Sequence, residues 1–253
     1  MNSGKFQKKV FEKYSVKVQK EASDLVIISI IDFIIREMKK KGKYSIKILD
    51  VGCGGGQLLE NFAKFPQVEV YGVDISEKAL QIARTRGYKV FLCNVETEKL
   101  PFNDESIDIV VVNDLLEHLI TPDNLLREVY RILKREGKLV ISVPNISHPV
   151  SWFMQIFLDL PPMQSARYKS VHVRDYTLRI LKCVMKLNGF RVKQVKGTYL
   201  YPLNNAIGRL IVRLFPRLSE RLILICEKGT IPDFELEDVY FNVKDLLYIG
   251  EKL

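Results

Sequence analysis

Cysteine is scarce in this chain of 253 residues. Its four copies, Cys53, Cys93, Cys183 and Cys226, are widely spread and form no C-x-x-C pair. Neither a disulfide framework nor a cysteine zinc site is indicated, and all four read as small buried residues in a reducing compartment. Histidine is scarcer, with His118, His148 and His172 only. No apolar run reaches the roughly 20 residues that cross a bilayer. The start, Met1-Asn2-Ser3-Gly4-Lys5-Phe6, lacks the apolar region of an export signal, so the expected location is cytoplasmic. No internal repeat or low-complexity tract is present, and the length suits one α/β domain with elaborations.

Acidic charge is short as well, leaving a net charge of +9 that is unevenly placed. Lys5, Lys8, Lys9, Lys13, Lys17 and Lys20 load the first segment, and Arg36, Lys39, Lys40, Lys41 and Lys43 the end of the next. A second basic region runs from Arg167 to Lys196 with Asp175 against it. The tail reverses sign with Asp233, Glu235, Glu237, Asp238 and Asp245. Such patches suit an anionic acceptor, an anionic lipid surface or RNA. A lysine-rich solvated surface is the simpler reading, and no RNA-binding module motif is present.

What the chain does have is a regular alternation of strand and helix patterns. Residues 6–20 read as a polar helix and Leu25–Lys40 as an apolar one, stopped by Gly42. Strands are expected at 46–51, 68–73, 88–93, 107–112 and 138–143. Helices are expected at 56–64, 76–86 with Ser76 as N-cap, and 122–134 with Thr121 as N-cap and Pro122 first in the helix. This order predicts a Rossmann-like, mostly parallel sheet with helices on both faces.

The first strand, Ile46-Lys47-Ile48-Leu49-Asp50-Val51, runs into Gly52-Cys53-Gly54-Gly55-Gly56, and Asp74 ends the second. Strand, glycine loop, helix and a following acid make a nucleoside-binding unit. A dinucleotide loop reads G-x-G-x-x-G, whereas this one reads G-x-G-x-G and is preceded by an acid that would repel a pyrophosphate. A nucleoside that carries positive charge and no phosphate suits Asp50 better. S-adenosylmethionine (SAM), with its ammonium and sulfonium, is such a ligand, and Asp74 would accept from both of its ribose hydroxyls.

Five blocks in order carry a family resemblance: Leu49–Gly56, Gly72-Val73-Asp74-Ile75-Ser76, Leu100-Pro101-Phe102 leading into Asn103–Val110, Leu116-Glu117-His118-Leu119, and Gly137–Asn145. With these the chain resembles the class I SAM-dependent methyltransferases, closest to the small-molecule, ubiquinone-pathway-like branch. The resemblance implies seven strands with the last antiparallel between the fifth and sixth. It divides the chain into an N-terminal helical segment (1–42), a SAM-binding domain (43–228) with a substrate cap at about 146–176, and an acidic tail (229–253).

By that resemblance Asp50, Gly52, Cys53, Gly54 and Gly56 hold the methionine end of SAM, and Asp74 the ribose. Ile75 packs on the adenine ring, while Asn94, where relatives often have aspartate, and Val95 meet its edge. The Asn113 carbonyl accepts from the ammonium, and Leu115 lines that wall. The reaction is an in-line methyl transfer, with S-adenosylhomocysteine as product. A hydroxyl acceptor needs a base, for which His148 and His172 are preferred over His118. No metal is expected. The expected acceptor is a small or lipid-like molecule methylated at oxygen. RNA or protein methylation and a non-catalytic SAM-binding regulator are the alternatives, and no N-P-P-Y tetrad follows the fourth strand. The apolar run Val150–Leu160 reads as a lid, a membrane-touching patch or ordinary packing. The helix at 25–40 and the acidic tail are candidate surfaces for a homodimer.

Overall fold

The computed structural model describes residues 22–159, 172–203 and 205–231. The predicted helix at 6–20, the cap residues 160–171 and the tail from 232 onward lie outside the described residues.

Seven strands form one sheet. They are β1 (Ile46–Val51), β2 (Val68–Asp74), β3 (Lys89–Leu92), β4 (Ile107–Asn113), β5 (Leu133–Pro144), β6 (Phe190–Gly197) and β7 (Arg221–Lys228), in the order β3-β2-β1-β4-β5-β7-β6. The first five run parallel, and β7 is antiparallel to both β5 and β6. The helices are α1 (Ala22–Lys40), α2 (Gln57–Phe62), α3 (Glu77–Thr85), α4 (Asp123–Ile132), α5 (Pro149–Phe157), α6 (Leu178–Leu187) and α7 (Ala206–Leu214).

The fold follows from two apolar faces. β4 is buried along Ile107–Val112 on both sides, as a central parallel strand must be. One core layer packs Leu49, Val110, Leu126, Val129 and Leu181, and the other packs Ile31, Ile35, Ile48, Leu59 and Ile109. In α1 the residues Ile27, Ile30, Ile31, Ile34, Ile35 and Met38 recur at helical spacing and are all buried in the second layer. The apolar stripe of this helix is thus consumed within the chain. Only Leu25 and Phe33 remain as large exposed apolar residues on it.

Local signals behaved as their chemistry dictates, with one exception. The Ser76 hydroxyl accepts from the Ala79 amide at 3.3 Å and caps α3. Thr121 does not cap α4. Pro122 holds that position, and the Thr121 amide donates instead to Glu96 Oε1 at 2.9 Å. β5 also begins earlier than expected, at Leu133, because its first residues reach back to pair with Ile107.

Candidate active site

The strand order reverses between β1 and β4, and a ligand crevice opens outside the carboxyl ends of strands at such a point. The loop after β1 supplies one wall. Gly52, Gly54 and Gly56 all have positive φ, at 78°, 52° and 83°, a region that only glycine enters without strain. A Cβ on Gly52 would stand 3.3 Å from the Leu115 side chain, so this loop and the loop after β4 close against each other there. Gly72 is more tightly constrained, since a Cβ there would fall 2.5 Å from Cys53 Sγ. The Cys53 thiol thus packs into the sheet, and burial pushes its pKa far up.

Asp74 holds the loop in shape. Its Oδ2 accepts from the Gly54 amide at 2.9 Å and its Oδ1 from the Ser76 amide at 2.8 Å. The Gly52 and Cys53 amides donate to the Val73 carbonyl, and the Gly56 amide to the Cys53 carbonyl. These amides are engaged within the loop. Each Asp74 oxygen keeps a second lone pair for a hydroxyl donor.

Asp50 is 2% exposed. Burial, with the charges of Asp74 and Asp24, pushes its pKa up to about 8. Asp24 is the residue that sequence reasoning missed. It lies in the first turn of α1, where an acid is accounted for by the helix dipole. The fold carries it to the crevice, where its Oδ1 accepts from Asn113 Nδ2 at 3.3 Å. Asn113 Oδ1 in turn accepts from Ser142 Oγ at 2.6 Å. Three carboxylates therefore converge beside the glycine loop.

The third-strand loop is tied down on every side. The Asn94 amide donates to Glu98 Oε2 at 3.0 Å, and Asn94 Oδ1 accepts from the Glu96 amide at 3.1 Å. Val95 is buried, and its carbonyl accepts from Asn124 Nδ2 at 2.9 Å. Asn94 thus shapes its own turn with its side-chain oxygen, so a purely accepting role towards a base competes with that bond. Ile75 is half-buried beside Asp74. Asp114, with φ of 48°, pairs with Arg221 and so bolts the fourth-strand loop to β7.

The histidines separate into two situations. His148 is fully buried, and its Nδ1 accepts from the Val150 amide at 3.3 Å to cap α5. Its Nε2 is buried with no hydrogen-bond partner among the described residues, and burial lowers its pKa. His118 and His172 instead meet edge to face, with ring centroids 4.8 Å apart. Glu117 joins them, with a carboxylate oxygen 4.0 Å from His118 Nε2. One ligand atom from each of the three lies within 4.8 Å of the others. Glu117 is 1% exposed, neither carboxylate oxygen has a hydrogen-bond partner among the described residues, and burial pushes its pKa up to about 8. Its carbonyl accepts from the amides of Val173 and Arg174, which ties the His172 segment to the end of the β4 loop. Burial lowers the His172 pKa, with Asp175 partly opposing.

Residues 49–141 match the family described as a methyltransferase domain. The chain carries a class I SAM-dependent methyltransferase domain. An uncharacterized protein of Methanocaldococcus jannaschii is 34% identical over 136 residues, which are 53% of this chain and 60% of that protein. The ubiquinone biosynthesis O-methyltransferase of Coxiella burnetii is 28% identical over 183 residues, 68% of this chain and 74% of that enzyme. A SAM-dependent methyltransferase of Archaeoglobus fulgidus shares the fold, with a TM-score of 0.53 at 20% identity over 79% of this chain and 94% of that one.

The cofactor of this methyltransferase is SAM, and the crevice fits it on physical grounds. A carboxylate desolvated as Asp50 is, with only like charges acting on it, is stabilised by an incoming cation. The glycine loop leaves no side chain to block the approach. Asp74 is held by backbone donors on both oxygens and keeps acceptor capacity for a hydroxyl.

Proposed function

We propose that this methyltransferase transfers a methyl group from SAM to an oxygen of a small, apolar or lipid-like acceptor. The observation that carries the proposal is the Glu117–His118–His172 group at the end of the β4 loop, beside the cofactor crevice. Bound SAM supplies a methyl group already activated by its sulfonium. The chain then has to align an acceptor, exclude water and remove one proton.

His172 is the base in this reading. Its lowered pKa keeps the imidazole neutral near pH 7, so it accepts the hydroxyl proton as the oxygen–methyl bond forms and the sulfur–methyl bond breaks. His118 and Glu117 hold the charge that results, because an imidazolium beside Glu117 favours the carboxylate form of that buried acid. His148 caps α5 and positions the cap. An apolar hollow of about 380 Å³ beside it, lined by Ile146, Trp152, Ile156 and Thr177 among others, is where the acceptor's apolar body would rest. The name of the Coxiella relative, an O-methyltransferase of ubiquinone biosynthesis, supports the same class of acceptor.

The test is formation of S-adenosylhomocysteine with a panel of phenols, catechols and prenylated phenols, followed by His172→Gln. A fall in kcat of about a hundredfold or more with little change in SAM affinity is expected for a lost base. Turnover on RNA or protein but not on any phenol would overturn the reading. Among the described residues no helix is long and apolar enough to cross a membrane. Trp152, Phe153, Ile156 and Phe157 are nonetheless exposed on α5, which suits peripheral contact with a lipid surface during acceptor capture.

A further inference from the structure

A groove of about 670 Å³ lies along the outer margin of the sheet. It is remote from the cofactor rim. Pro144, at the rim end of β5, pairs with Arg221 at the start of β7, so Lys228 and its partner Phe190 stand at the opposite end. The groove is strongly basic, with Lys182 and Lys186 from α6, Arg191 and Lys193 from β6, and Lys228 from β7. Glu227 approaches Arg191 at 3.2 Å and Lys193 at 3.9 Å, and Glu105 approaches Lys228 at 3.3 Å. Among the described residues no acid pairs with Lys182 or Lys186.

The same margin carries an open strand edge. β6 is last in the sheet and pairs only with β7 among the described residues. Its outer backbone groups are a template for another extended segment. The chain itself arrives at the head of that edge. After β7 the Gly229 amide donates to the Gly189 carbonyl at 2.7 Å, and the Tyr130 hydroxyl donates to the Gly229 carbonyl at 2.9 Å. A Cβ on Gly189 would fall 2.8 Å from the Ile231 side chain, so Ile231 rests against the residue that precedes β6. Thr230 already lines the groove.

From there the sequence reads Pro232-Asp233-Phe234-Glu235-Leu236-Glu237-Asp238-Val239. Acids at 233, 235 and 237 alternate with Phe234 and Leu236, so an extended segment would present three carboxylates on one side. Successive acids would then lie about 6.7 Å apart. Lys182 and Lys186 are offset by about 6 Å along α6. The two spacings match.

We propose that the segment Asp233–Val239 docks in this groove, extended along the free edge of β6, with its alternating carboxylates against Lys182, Lys186 and Lys193. The docked segment satisfies the open edge, which otherwise invites pairing between copies of the chain. It also neutralises the basic surface and keeps polyanions off it.

The test is zero-length carbodiimide cross-linking of the full chain, with equal parts of isotopically light and heavy protein, read by mass spectrometry. Links from Lys182, Lys186 or Lys193 to Asp233, Glu235 or Glu237 within one chain are expected, and they should fade in high salt. The substitutions K182E and K186E together should cut their yield at least tenfold, with the far-ultraviolet circular dichroism unchanged. Adding E235K and E237K should restore proximity, read as links between the exchanged charges. Absence of such links overturns the proposal, as do links formed mainly between heavy and light chains, which would assign the groove to a second copy. Binding of poly(U) to the unmodified protein that is lost with K182E and K186E would overturn it in favour of nucleic acid.

Discussion

Replacing Asp50 by asparagine isolates the chemistry of the cofactor site. Asp50 is fully buried, and its folded-state pKa is pushed up to about 8, against about 3.9 for a free aspartate. The folded protein therefore binds this proton more tightly than the unfolded chain does. The associated stability is fully present below about pH 4 and is lost as pH rises towards 8, because only the folded state must release a proton held at high affinity. One such group gives a slope of about 1 kcal/mol per pH unit across that window. Asparagine keeps the shape and removes the titration. Between pH 6 and pH 8 the cofactor-free wild type should lose about 2 kcal/mol more than Asp50→Asn, or roughly 4–8 °C in Tm for a domain of this size. Glu117 titrates in the same range but is common to both proteins and cancels.

The same group predicts how SAM binds. A cation beside Asp50 favours the ionised form, so binding expels a proton below pH 8, and the wild-type affinity should rise about tenfold per pH unit from pH 6 towards pH 8. Differential scanning fluorimetry across pH, and calorimetry of SAM binding in buffers of different ionisation enthalpy, would measure both effects. For Asp50→Asn the expected result is a flatter stability profile, loss of proton release and SAM affinity at pH 8 at least tenfold weaker. A variant that binds SAM as the wild type does, or a wild-type affinity flat in pH, would refute the reasoning.

Other outcomes follow from particular contacts. Gly72→Ala should destabilise the protein by about 1–3 kcal/mol through the clash with Cys53 Sγ, and Cys53→Ala should recover part of that loss in a denaturant double-mutant cycle. Glu117→Gln should raise cofactor-free stability at pH 8 relative to pH 5, since it removes a buried acid whose pKa lies near 8, while lowering kcat and shifting the pH–rate profile. Ile31→Ala, in the stripe of α1 that packs on the sheet, should cost about 2–5 kcal/mol by urea unfolding and leave the SAM affinity per folded molecule intact. Exhaustive dialysis against EDTA should leave turnover unchanged, because methyl transfer from a sulfonium needs no Lewis acid. Recovery of lost activity by added zinc or magnesium would instead give the Glu117, His118 and His172 ligand atoms to a cation.

The parallel core was legible in the residues because its signals are local. Apolar strand runs such as Ile109–Val112, a serine cap at Ser76 and glycines at 52, 54 and 56 each act over a few residues, and their order leaves few topologies open. The same locality failed at Thr121, where Pro122 takes the N-cap position and Glu96 from another loop accepts from the Ile120 and Thr121 amides. It failed again for the histidines. Residue type alone ranked His148 with His172, yet packing made one a helix cap and an edge-to-face contact made the other a partner of His118.

The sequence by itself therefore pointed to a nucleoside with positive charge at the loop after β1, because glycine spacing and a neighbouring acid are properties of adjacent residues. Only the tertiary structure decided which distant groups share that site. Asp24 reaches Asn113 across the fold, and Glu117 loses its solvent beside two imidazoles. Desolvation and charge proximity set the protonation of these acids, and both quantities exist only once segments far apart in the chain have packed together.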